Sequence, residues 1–144
     1  MASGVYAKGL EQILNGDLDW GTTDVKVMAV TTGYTLDKEA HEFLEDVSAS
    51  RYLNTTDQSL AGESVGRDTV NDWVELNATT TTFSSVELDG TDDIIGFIIY
   101  IEVGAESADI LLFYDDIAVD VTPDGNNVNY NPNASGIAYF TYGA

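Results

Sequence analysis

Two nearly unbroken apolar runs in the second half of the chain constrain the fold more than anything else in the sequence. Residues 94–103 read Ile-Ile-Gly-Phe-Ile-Ile-Tyr-Ile-Glu-Val, and residues 109–114 read Asp-Ile-Leu-Leu-Phe-Tyr. Both are rich in β-branched and aromatic residues and lack a helical period, so both are expected to be strands. A strand with one wet face shows a polar residue at every second position. These runs do not, which implies cover on both faces. The short connection Gly104 to Ala108 contains glycine and suits a hairpin loop. On the first strand Phe97, Ile99 and Ile101 should share one face, with Ile98 and Tyr100 on the other. Leu112 and Phe113 should lie on the neighbouring strand. The run Ile94 to Ile101 is far shorter than the roughly 20 residues of a transmembrane helix.

Around this hairpin the sequence supplies further short strands. Val25 to Val30 is a β-branched run. Val74, Leu76 and Ala78 alternate with Trp73, Glu75 and Asn77, and Thr79 to Val86 is Thr/Ser-rich and ends in apolar residues. Val119 and Val121 flank Asp120, Pro123-Asp124-Gly125 is a turn, and Val128 to Tyr130 and Ile137 to Tyr142 close the chain. Arg51 to Leu60 suits an edge strand, and Leu36 to Val47 suits one or two helical turns. One helix is expected near the start. Tyr6, Leu10, Ile13 and Leu14 form an apolar stripe, Ser3 can cap it, and Asn15-Gly16 can stop it. Gly9 weakens that helix. The fold class is therefore mainly β: a β-sandwich or jelly-roll-like domain with a short N-terminal helix. It forms one domain over 1–144, with a helical segment at 1–16 and the sandwich at 24–144.

Charge narrows the function. The chain carries 25 Asp and Glu against 5 Lys and Arg, a formal net charge of -20. Phosphate-backbone recognition needs clustered cations, and the five here are scattered, so neither nucleic acid nor an anionic membrane is an expected partner. The 44% hydrophobic content argues for a folded domain rather than a disordered acidic tail. There is no cysteine, and no basic-then-apolar leader opens the sequence, so a soluble, cytosolically made protein is expected.

Catalytic patterns are thin. His41 is the only histidine and stands without a nucleophile elbow or a second metal ligand. Asp89-Gly90-Thr91-Asp92-Asp93 and Asp115-Asp116 with Asp120 offer oxygen ligands but not the EF-hand spacing. Gly62-Glu63-Ser64-Val65-Gly66 lacks the Gly-Lys-Ser/Thr of a phosphate loop. No catalytic residue, cofactor or metal ligand is expected. The aromatics Trp20, Trp73, Tyr130, Tyr139 and Tyr142 suit either strand packing, a sugar platform or an oligomer contact.

Several segments, in order along the chain, resemble a family of small bacteriophage virion structural proteins common in environmental and cyanobacterial phages. Tyr6-Ala7-Lys8-Gly9-Leu10 through Leu14-Asn15-Gly16-Asp17-Leu18-Asp19-Trp20 is similar to the family's opening helix and the signature after it. Asp24 to Val30 is similar to its first strand, His41 to Val47 to its "H-x-FL-x-D" segment, and Thr82 to Val86 to its "TFSSV" strand. Asp120 to Asn126 resembles its closing hairpin. Leu60 to Asn77 departs from the pattern, with Trp73 an insertion. The resemblance implies a capsid decoration (cement) protein on the virion surface, made in the bacterial host cytoplasm. Its implied partners are the major capsid protein and copies of itself, as a homotrimer. Tail or baseplate placement and a carbohydrate-binding β-sandwich are the alternatives. The residues expected at the interface are Met1, Ala2, Ser3, Gly4, Val5, Tyr6, Trp20 and Trp73.

Overall fold

The computed structural model describes residues 3–21, 24–133 and 136–142. In chain order its elements are β1 (Gly4–Val5), α1 (Ala7–Asn15), β2 (Val25–Thr31), two 3₁₀ turns (Leu44–Asp46 and Ser48–Ser50) and β3 (Gln58–Ser59). They continue with β4 (Ala61–Asp68), β5 (Trp73–Thr79), β6 (Thr81–Phe83), β7 (Ile94–Ile101), β8 (Ile110–Val121), β9 (Val128–Tyr130) and β10 (Ala138–Thr141). The protein is mainly β, with one short N-terminal helix, as the sequence implies.

The apolar hairpin sits at the centre of an antiparallel sheet in the order β1-β8-β7-β2-β3. A three-stranded sheet, β10-β5-β4, and a two-stranded pair, β6-β9, lie against it. One core contains Val27 and Ala29 of β2, Phe97, Ile99 and Ile101 of β7, and Phe113 of β8. These pack on Leu76 and Ala138 of the three-stranded sheet and on Phe83, Val128 and Tyr130 of the pair. Phe97 stands between the rings of Phe83 and Tyr130, at 5.6 and 5.0 Å.

The opposite face of the large sheet is apolar too, and no second sheet covers it. Met28, Val30, Ile98, Tyr100, Leu111 and Tyr114 are buried under Tyr6, Tyr34, Leu44 and Val47. The N-terminal segment and the 3₁₀ region supply this cover, which accounts for the unbroken runs in β7 and β8. The expected division holds: Phe97, Ile99 and Ile101 face one core, Ile98 and Tyr100 the other. A register shift pairs Ile99 with Phe113 but Tyr100 with Leu111. Leu112 is the extra residue of this bulge, so it and Phe113 both reach the same core.

Four details differ from the sequence reading. β8 runs on to Val121, so Val119 and Val121 end that strand rather than form another. Ala61–Asp68 is a strand, held as a hairpin on β5 by the Asp68 carboxylate, which accepts the Val70 and Asn71 amides. Ser3 does not cap α1: Tyr6 precedes the helix, without a side-chain cap. Leu14 is 74% exposed, whereas Gly9 is buried. A Cβ on Gly9 would lie 2.4 Å from the Leu111 carbonyl oxygen, so the missing side chain lets α1 rest on β8. Gly16 stops the helix in the left-handed conformation, φ 77°, as expected. The layered sheets support the sandwich expectation, and the finer jelly-roll description is not carried by them.

Candidate functional site

The expected interface residues do not form one surface. Met1 and Ala2 lie outside the described residues. Gly4 and Val5 form the edge strand β1, opposite Tyr114 and Phe113. Ser3 ends that pairing: its Oγ donates to Asp115 Oδ1 at 3.0 Å and accepts the Asp116 amide at 2.9 Å. The other Asp115 oxygen accepts Tyr130 Oη at 3.1 Å. Burial pushes the Asp115 carboxyl above the usual carboxylate range, against the pull of these two hydrogen bonds. Beside this corner a cleft of about 480 Å³ separates β1 from β10, lined by Ser3, Val5, Asp115, Ile137 and Phe140 among others. β1 and β10 are the outermost strands of their sheets, so two strand edges border one cleft.

Tyr6 has no surface to offer a partner. It is fully buried, with its hydroxyl 2.5 Å from Tyr34 Oη, which lies 3.3 Å from His41 Nδ1. Trp20 is also a brace rather than a free contact. Its ring meets Phe113 edge-on at 6.0 Å, and its Nε1–H donates to the Asn77 carbonyl at 3.0 Å. It thereby ties the large sheet to the three-stranded one.

Trp73 lies elsewhere, on the outer face of the three-stranded sheet. Alternation along β5 sends Leu76 inward and Trp73, Glu75 and Asn77 outward, as the sequence implies. Pairing of β10 with β5 sets Tyr139 opposite Glu75 and Thr141 opposite Trp73. The Trp73 and Tyr139 rings stack at 4.7 Å with a 36° tilt. Trp73 Nε1–H donates to Glu75 Oε2 at 3.2 Å, and Asn77 Nδ2 donates to Glu75 Oε1 at 2.9 Å. The carboxylate is thus held from both sides, above Gly66, where a Cβ would come within 2.8 Å of it. Tyr142 sits at one end, its backbone amide bound to the Asp72 carbonyl. Tyr139 and Tyr142 are 53% and 52% exposed, and no other aromatic side chain among the described residues is exposed.

The remaining polar clusters have structural partners. Arg51 makes a bidentate pair with Asp57 and a 2.8 Å contact with Glu106, and Tyr100 Oη donates to the same Asp57. Asp109, almost fully buried, accepts the Val103 and Gly104 amides and shapes the β7–β8 loop. Asp93 accepts Thr122 Oγ1 at 2.6 Å. Among the described residues no group of three His, Asp or Glu side chains is placed to hold a metal ion. No helix of the described residues is long and apolar enough to cross a membrane. Sequence reasoning found Trp73 and its face but not the stack with Tyr139, which depends on a pairing between distant strands. No protein-family model matches the chain, and no curated protein matches it.

Proposed function

We propose that this chain is a structural protein of a bacteriophage particle, a capsid decoration (cement) subunit that acts as a homotrimer on the major capsid protein. The observation that supports a docking role is the N-terminal corner, where β1 and β10, each outermost in its sheet among the described residues, border one cleft. Extended segments of a neighbour add readily to such edges, and side chains fix their register in the cleft. A lattice multiplies weak contacts of this kind, so high occupancy needs no deep pocket. The acidity keeps a protein soluble at high copy number and apart from packaged DNA. The docking residues in this reading are Ser3, Gly4 and Val5, with Met1 and Ala2 preceding them. Ser3 and Gly4 belong to neither core, so a chain lacking residues 1–4 should still fold. The experiment is immunogold labelling of purified virions carrying either the full chain or the version lacking residues 1–4. Label over the capsid that falls sharply with the deletion is expected. Label on tails, or capsid label unchanged by the deletion, overturns the reading.

A further inference from the structure

We infer that the outer face of the three-stranded sheet is a binding site for neutral pyranose sugars, centred on Trp73, Tyr139 and Glu75. Three features of that face point to this ligand. First, Tyr139, one of two exposed aromatics among the described residues, stacks on Trp73, while every other described aromatic except Tyr142 is buried or half-buried in packing. The sheet concentrates aromatic surface where an amphipathic ligand can stack, and a sugar ring presents apolar C–H faces and polar edges.

Second, the polar groups beside the stack are preset. Glu75 is held in place by Trp73 Nε1–H and Asn77 Nδ2, and each of its oxygens keeps acceptor capacity for a ligand hydroxyl. Gly66 leaves the space over which the carboxylate lies. Such acceptors, fixed before the ligand arrives, orient neighbouring hydroxyls at little entropic cost.

Third, electrostatics select among ligands. Asp68, paired with Trp73 across the strands, and Glu75 make the face acidic. The only cation on β4, β5 or β10 is Arg67, which pairs with Val74 and so belongs to the sheet's other side. A second copy of this chain packed through the same face would bury the Glu75 carboxylate against another acidic surface without a cation. An anionic glycan would be repelled. A neutral polyol supplies the missing donors and leaves the carboxylate partly wet.

The test is native electrophoresis of the full chain through gels cast with laminarin, galactomannan or xyloglucan, with alginate as the anionic comparison. Retarded migration is expected in at least one neutral gel and not in alginate. Trp73→Ala and Glu75→Gln should each weaken retention by about tenfold, the scale of one lost stacking or hydrogen-bonding group. Glu75→Gln keeps the shape of the face, and an unchanged unfolding midpoint for that variant separates lost binding from lost folding. No retardation in any neutral gel, retardation of either variant as strong as the parent's, or retardation by alginate overturns the inference. So does a sedimentation profile in which Trp73→Ala dissociates an oligomer, since that makes the face a contact between copies.

Discussion

Replacing Gly9 with alanine tests how the N-terminal segment is seated. In an exposed helix the exchange stabilises by about 1 kcal/mol, because alanine loses less backbone entropy. At Gly9 the sign should reverse. The new methyl would lie 2.4 Å from the Leu111 carbonyl oxygen and 2.7 Å from Leu112 Cα. Both are backbone atoms of a central strand and cannot rotate away as a side chain would. Relief requires α1 to move outward by about 1 Å, towards ordinary contact distances. That shift loosens Ile13 on the core and stretches the 3.0 Å bond from the Tyr6 amide to the Leu112 carbonyl. Overpacking of this kind costs about 1–3 kcal/mol, and rigid backbone on the receiving side places Gly9→Ala at the upper end. With a urea slope of about 2 kcal/mol per M, the midpoint should fall by about 1.5 M with the slope unchanged. Gly16→Ala is the control, because a Cβ there meets nothing within 4 Å and only the positive φ is strained. It should cost about 1 kcal/mol. A Gly9→Ala protein as stable as the parent, or more so, would refute docking of α1 on β8.

Two further outcomes probe the cores. Phe97 is 1% exposed between Phe83 and Tyr130, so Phe97→Ala should cost about 3–5 kcal/mol; a melting temperature lowered by less than about 3 °C would place β7 at a surface. Burial raises the Asp115 carboxyl, so the folded chain holds that proton to higher pH than the unfolded chain does. Its contribution to stability is full below the unfolded value of about 4 and is lost as pH rises through the folded value. Asp115→Asn, which cannot ionise, should therefore exceed the parent in stability at about pH 7, with the gap narrowing as pH falls towards about 4. Urea melts in which the gap stays constant or widens on acidification would contradict this.

What was legible in the sequence follows from where each signal resides. The β7–β8 hairpin could be read because apolar side chains on both faces leave no ambiguity about burial. β4 could not, since Ala61–Asp68 is an outer strand of its sheet with no buried position, and its pairing with β5 rests on backbone groups and the Asp68 turn. The helix was found but its seat was misread. Of the stripe, Tyr6 and Ile13 reach the cores while Leu14 stays exposed, and the closest backbone approach to β8 is made by Gly9, the residue with no side chain. Tyr6, as part of the N-terminal segment, and Trp20, as one of several aromatics, suit an interface by sequence alone. Their burial depends on Tyr34, Phe113 and Asn77, which lie far away in the chain. Alternation along β5 did place Trp73, Glu75 and Asn77 on one face, since period two needs no tertiary partner.

The two proposed surfaces are not independent, because β10 takes part in both. Its edge borders the N-terminal cleft, and its outward side chain Tyr139 stacks on Trp73. Ala138, between these roles, is buried beside Leu76 and fixes the strand on the core. A partner that extends the sheet from the β10 edge therefore meets the same strand that positions the aromatic platform. Tyr139 also lines the cleft, so a substitution there would alter both proposed surfaces together and cannot assign a defect to either. The positions that discriminate are the ones each surface holds alone. Ser3 and Val5 belong to the cleft and have no part in the stack, while Trp73 and Glu75 belong to the stack and do not line the cleft. Loss of capsid label with sugar retention intact, or the reverse, would separate the two roles. Loss of both from one of these unshared positions would instead mean that β10 itself had moved.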